Sequence, residues 1–259
     1  MTAVTSDSMS VKNSAYPQLK GFHHIEIYVG NAGQAAHFYR TLFGFEPVAY
    51  AGLETGERDH VSYVMKQGDI RLVLTAALSA DSPVAEHVRL HGDSVKDIAF
   101  QVDDAALAFE TAVKRGAEPL MEPEVFESET GRMTTSKISS FGHTVHSFIE
   151  RDGGEDTFSP NYRPVAKYLP APSLGFTKID HIAISVEEGK LDQWIDFYKG
   201  TLGFHQSHEE DVYTEHSAMN SKVVEDSSGV IKFPMMEPAP SKRKSQIGEF
   251  LDFHRGAGA

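Results

Sequence analysis

Phe22-His23-His24-Ile25-Glu26-Ile27-Tyr28-Val29 and, 157 residues further on, Ile179-Asp180-His181-Ile182-Ala183-Ile184-Ser185-Val186 are two copies of one pattern. Each alternates apolar and polar positions as a half-buried strand does, and each carries a histidine at its third position. A helix-like run follows both. It closes with Phe38-Tyr39-Arg40-Thr41-Leu42-Phe43-Gly44-Phe45 in the first copy and Phe197-Tyr198-Lys199-Gly200-Thr201-Leu202-Gly203-Phe204 in the second. Self-similarity at this interval means duplicated structural units, which constrains the fold more tightly than composition does.

Working outward from the first copy, Asn31 can cap a helix over residues 32–42, and Gly44 can end it. Strands follow around Pro47 to Ala51, Val61 to Lys66 and Ile70 to Ala76, with Gln67-Gly68-Asp69 as a hairpin turn. The plan recurs between the copies: a strand from Asp97 to Val102, then a helix from Ala105 to Arg115 capped by Asp103 or Asp104 and ended by Gly116. Strands near Glu124 to Glu127, Met133 to Ser139 and Thr144 to Glu150 complete it. Residues 20–150 therefore read as an N-terminal structural domain of two βαβββ modules, in an α+β fold. Residues 151–176, rich in Gly, Pro and Asp, read as a linker. A third module runs from Thr177 to Met236. Its helix spans Leu191 to Lys199 and carries the sole tryptophan, Trp194; a short amphipathic helix follows from Ser245 to Phe253. Residues 177–259 are then an incomplete C-terminal domain whose fourth module is missing, and residues 1–19 a polar, disordered lead-in.

Bulk properties narrow the function. A formal net charge of −13 disfavours nucleic acid, whose binding requires phosphates to be neutralised by Lys and Arg. With no cysteine there is no disulfide or thiolate chemistry, which suits a reducing, cytoplasmic compartment. No apolar run reaches the ~20 residues of a membrane span, and residues 1–14 lack an apolar signal-peptide core.

A βαβββ module planned four times over resembles the vicinal-oxygen-chelate, glyoxalase-like superfamily, and within it the 4-hydroxyphenylpyruvate dioxygenase and 4-hydroxymandelate synthase family. The stretches that carry the likeness run in family order: His91-Gly92-Asp93-Ser94-Val95-Lys96-Asp97, Phe141-Gly142 to His146, Asp180-His181, Asn220-Ser221-Lys222-Val223-Val224, Lys244-Ser245-Gln246-Ile247 and Gly256-Ala257-Gly258. The resemblance implies Fe(II) held by two histidines and a glutamate, a facial triad with open positions. His181 matches the first histidine. The other two ligands lie in the family beyond the Gly-Ala-Gly run, so the chain resembles the first two-thirds of the enzyme and is expected to be inactive alone. An aryl 2-oxo acid and O2 are the implied substrates, and a homo-oligomer the implied assembly of the complete enzyme. Ser221 and Gln246 match positions that can orient the substrate ring. Where the dioxygenase reads Pro-x-Asn-Glu-Pro, this chain has Pro234-Met235-Met236-Glu237-Pro238, and Met236 replaces an amide with a thioether. That exchange keeps 4-hydroxymandelate as an alternative product to homogentisate. A reading of another class is a short non-catalytic protein or one half of a split enzyme.

The remaining histidines read as structural. Apart from the resemblance, a histidine on a strand is more often packed than metal-bound, and His24 and Asp97 occupy the His181 position in the first two modules without an evident ligand set. His87 and His91 can share a helix face but lack a third ligand, and His143 and His146 are expected on opposite faces of one strand.

Overall fold

A computed structural model of the chain describes residues 15–128, 131–152, 158–165, 172–214 and 217–259. Most of the expected N-terminal lead-in and parts of the expected linker lie outside the described residues.

In the first module β1 (Leu19–Tyr28) is followed by α1 (Ala32–Phe43), β2 (Glu46–Ala51), β3 (His60–Gln67) and β4 (Ile70–Ala77). The Asn31 side chain accepts the backbone N–H of Gln34, and Gly44 ends α1 at φ 72°, a left-handed conformation open to glycine at little cost. A helix absent from the sequence reading, α2 (Pro83–His91), leads into β5 (Ser94–Val102). Its start is nonetheless written locally: Ser82 caps it and Pro83 stands in the first turn. The second module continues with α3 (Ala105–Lys114), β6 (Pro119–Ser128), β7 (Gly131–Ser139) and β8 (Val145–Asp152). Asp104, of the two candidates, is the cap of α3.

In each module the first and last strands pair in parallel, β1 with β4 and β5 with β8, and the antiparallel β1–β5 contact joins the two modules. The resulting nine-stranded sheet has the order β6-β7-β8-β5-β1-β4-β3-β2-β9. Its last strand is a correction to the bare linker: β9 (Arg163–Pro164) adds to the free edge of β2, and Phe158 and Tyr162 pack beside it on Ala49, Val64 and Val73.

The third module repeats the plan with β10 (Ile184–Ser185), α4 (Leu191–Phe197), a π-turn over Tyr198–Leu202, β11 (His205–Tyr213), β12 (Ala218–Glu225) and β13 (Lys232–Pro238), in the order β10-β13-β12-β11. Helix α5 (Gln246–His254) follows, as α2 follows β4. The expected strand over Ile179 to Val186 contracts to the two residues of β10. Alternation says which way a strand would face; a strand also needs a neighbour for its backbone groups. Here β13 supplies one side, and on the other only Ser185 is bridged, to Gly258.

One apolar core runs through both halves. Ile98, Phe100, Phe141 and Phe148 of the first half pack in the same cluster as Ile184, Tyr198, Phe204 and Phe233 of the second.

Candidate active site

Register places the expected site residues. On the third-module sheet Ser221 of β12 lies opposite Met236 of β13, and Met236 lies beside Ser185 of β10. The first module has the same triplet: Ser62 opposite Thr75, and Thr75 beside Tyr28. Ser185, Ser221 and Met236 therefore share one sheet face, and two of the equivalent first-module residues, Tyr28 and Thr75, line a cavity. The alternate residues face α4. There the Asn220 amide donates to Glu237 at 3.1 Å, and Glu237 also accepts the backbone N–H of Leu191 at 3.1 Å, which satisfies the first turn of α4. Glu237, within the Pro-x-x-Glu-Pro stretch, is thus a helix anchor that the sequence reading did not single out.

His181 lies outside regular structure, half-exposed. Its Nδ1 is 2.8 Å from Asp180 Oδ2, and that hydrogen bond holds the Asp180 carboxyl below its usual range. With Nδ1 occupied by the carboxylate, Nε2 is the ring nitrogen left for a metal, the arrangement that orients ligating histidines in general. Gln246 stands exposed at the first position of α5, capped by Ser245, whose hydroxyl accepts the N–H of Gly248. No hydrogen bond joins Gln246 to Ser221 or Met236. Among the described residues no three His, Asp or Glu side chains converge as a metal-binding group. His181 fits as one member of a ligand set, and the described residues by themselves do not fit an iron(II) centre.

The other histidines are distributed differently from the sequence reading. His143 is in a turn, while His146 is fully buried in β8. His91 Nδ1 is 2.5 Å from the carbonyl oxygen of His254, which can only accept, so Nδ1 carries the proton and Nε2 accepts from His143 Nδ1 at 2.7 Å. The His91 and His254 rings stack at 4.5 Å, tying α2 to α5. His146 donates from Nδ1 to the carbonyl of Ile98, which leaves Nε2 to accept from the Tyr198 hydroxyl at 2.8 Å. His24 is buried with its Nδ1 2.7 Å from His23 Nδ1, and burial pulls it down to about 4. Asp97 is buried in an ion pair with Lys137.

The model of the Glyoxalase/Bleomycin resistance protein/Dioxygenase superfamily matches residues 21–147 and 178–257. The 4-hydroxyphenylpyruvate dioxygenase of Yarrowia lipolytica is 40% identical over 99% of this chain and 68% of its own length, and that of Dictyostelium discoideum 38% identical over 93% and 68%. This chain belongs to the 4-hydroxyphenylpyruvate dioxygenase family of that superfamily. The family extends to solved structures: a triple mutant of 4-hydroxymandelate synthase from Streptomyces coelicolor superposes with a TM-score of 0.79 at 31% identity, covering 93% of this chain and 69% of that one. The chain spans about two thirds of the length of the dioxygenases it matches, 65% in that of Coccidioides posadasii. The α+β, glyoxalase-type fold expected from the sequence is the fold observed, and no helix among the described residues is long and apolar enough to cross a membrane.

Proposed function

We propose that these residues form the larger part of a 4-hydroxyphenylpyruvate dioxygenase that converts 4-hydroxyphenylpyruvate and O2 to homogentisate and CO2. The observation that carries this reading is the placement of Ser185, Ser221 and Met236 on one sheet face, in a family whose curated members bear that name at up to 40% identity. Fe(II) is the proposed metal, and when bound it would supply the oxygen chemistry. The chain's own part is to position. His181 offers Nε2 to the metal while Asp180 fixes the opposite side of its ring. The Ser221 hydroxyl and the Gln246 amide would hold the substrate ring, and Met236 would pack against it. A polypeptide with a single candidate ligand is not expected to turn over on its own.

The test is oxygen uptake and product chromatography with 4-hydroxyphenylpyruvate, on the iron-loaded protein containing these residues together with the rest of the family's length. Homogentisate as product supports the reading, and loss of both iron binding and oxygen uptake in His181→Ala assigns the ligand. Absence of turnover with any aryl pyruvate would end it; 4-hydroxymandelate as product would move the chain to the synthase reaction. Met236→Asn restores the amide common in the dioxygenases. It should shift the ratio of ring-hydroxylated to benzylic product, and an unchanged ratio would clear Met236 of any part in product choice. A homo-oligomer in the cytoplasm is proposed for the complete enzyme, testable by light scattering and cell fractionation.

A further inference from the structure

The N-terminal sheet lines an open cavity of about 310 Å3 at the position equivalent to the face described above. That volume is in the range of small-molecule sites. One wall is apolar and rich in sulfur and aromatic rings: Met121, Phe126, Met133, Ile149 and Phe158. The other is polar and holds two carboxylates, Glu26 and Asp97, one ammonium, Lys137, and the imidazoles of His24 and His60. Asp97 is fully engaged: Oδ1 accepts the N–H of Ser147, Oδ2 accepts the Ser147 hydroxyl, and the Lys137 ammonium is 3.4 Å away. Glu26 has one partner, the Thr75 hydroxyl at 2.6 Å on Oε1, and its Oε2 meets no donor from the protein. His24, nine-tenths buried, spends Nδ1 on His23, and its Nε2 has no protein partner. One ammonium thus serves two carboxylates: Lys137 pairs with Asp97 and acts on Glu26 only at longer range, as His60 does, and the free acceptor oxygen belongs to Glu26.

We propose that this cavity is a binding site for a small arylalkyl primary amine, its ammonium on Glu26 Oε2 beside His24 and its ring against Met121, Met133 and Phe158. The ammonium supplies a second positive charge beside Lys137 and a charge-assisted hydrogen bond to a carboxylate oxygen that no protein donor meets. Thioethers and aromatic rings favour an aromatic body over an aliphatic one. A carboxylate ligand is disfavoured, because it would be a third anion opposite one lysine. A divalent metal is disfavoured in turn, because the Lys137 ammonium already stands beside the carboxylates and no third metal ligand converges there. Burial, helped by the Asp97 charge, raises the Glu26 carboxyl against Lys137, the Thr75 hydroxyl and His60, which lower it, so its demand for a cation grows as pH rises, Glu26 ionises and His60 loses its proton. The site lies in the half of the chain that lacks His181, and the inference does not depend on the reaction proposed above.

The experiment is calorimetric titration of the 259-residue protein with phenethylamine, 2-phenylethanol and phenylacetate, which share a shape and differ in charge. Saturable binding of the amine, about tenfold or more tighter than the alcohol, with no binding of the acid, is expected. Glu26→Gln should remove the preference for the amine, while Lys137→Met should keep or strengthen it. If Glu26→Gln fails to fold, Met133→Trp fills the cavity without touching the carboxylate and should abolish binding. Failure of the amine to bind, equal binding of phenylacetate, or amine binding that survives Met133→Trp would each overturn the proposal.

Discussion

His146 is fully buried, with its ring nitrogens committed to Ile98 and Tyr198, and burial lowers it to about 4. His24 is lowered to the same value for the same reason. Both are neutral in the folded chain where the unfolded chain, with histidines near 6.5, takes up protons. The stabilisation is therefore complete above pH 6.5 and is lost as pH falls toward 4. By pH 5 each histidine should have cost about 2 kcal/mol. Urea midpoints measured between pH 7.5 and 5 should fall accordingly, and the drop should shrink in His146→Gln; a flat profile would refute the account. At this scale the sequence announces a histidine but not its fate. His24 and His181 occupy the same position of the same repeated motif, and one is buried against His23 and Phe158 while the other is half-exposed beside Asp180.

At the scale of elements, local chemistry reads well where it is self-contained. Asn31 and Asp104 cap the helices they were expected to cap, and Ser245, expected as the first residue of its helix, proves to be its cap, because a cap needs only its own next three residues. Helix α4 lacks that device. Lys190 at its N-cap makes no side-chain cap, and the distant Glu237 takes its place by accepting the Leu191 N–H. Glu237→Ala should therefore fray α4 and destabilise the chain by about 1–2 kcal/mol, measured as a shift in the denaturation midpoint with reduced protection of the Leu191 amide. Glu237→Gln, which keeps an acceptor, should recover most of it. No window of sequence around α4 carries this information, since the partner is some forty residues away in β13.

The whole molecule is bound by contacts that cross between its halves. Tyr198 of the third module reaches His146 of the second, and its ring sits among Phe204 and Phe233. Tyr198→Phe keeps the ring but leaves a buried imidazole nitrogen with a weaker set of partners, at an expected cost of about 1–2 kcal/mol. Phe233→Ala empties a shared core and should cost about 3–5 kcal/mol. Because that core is continuous, calorimetry should show both variants lowering one cooperative transition; two separate transitions, with only one shifted, would mean the halves fold independently. Gly142 reports the same closeness. Its φ is 56°, and a Cβ there would clash with the carbonyl oxygen of Ala257, so backbone from the two halves meets at a position only glycine fits.

The sequence by itself determined the module and its repetition. Period-2 alternation, helix caps and glycine stops are local, and a duplicated pattern displays itself. It also nominated His181, Ser221, Met236 and Gln246 through ordered likeness to a family. Only the tertiary structure decided which of these share a face, because cross-strand register pairs Ser221 with Met236 and Met236 with Ser185, and no local rule sets that register. It likewise decided that Ile179 to Ala183 are not a strand, since a strand exists by virtue of its neighbours. And it decided that Lys137 pairs with Asp97 while Glu26 keeps an oxygen without a donor, because charge balance in a cavity depends on which side chains converge there.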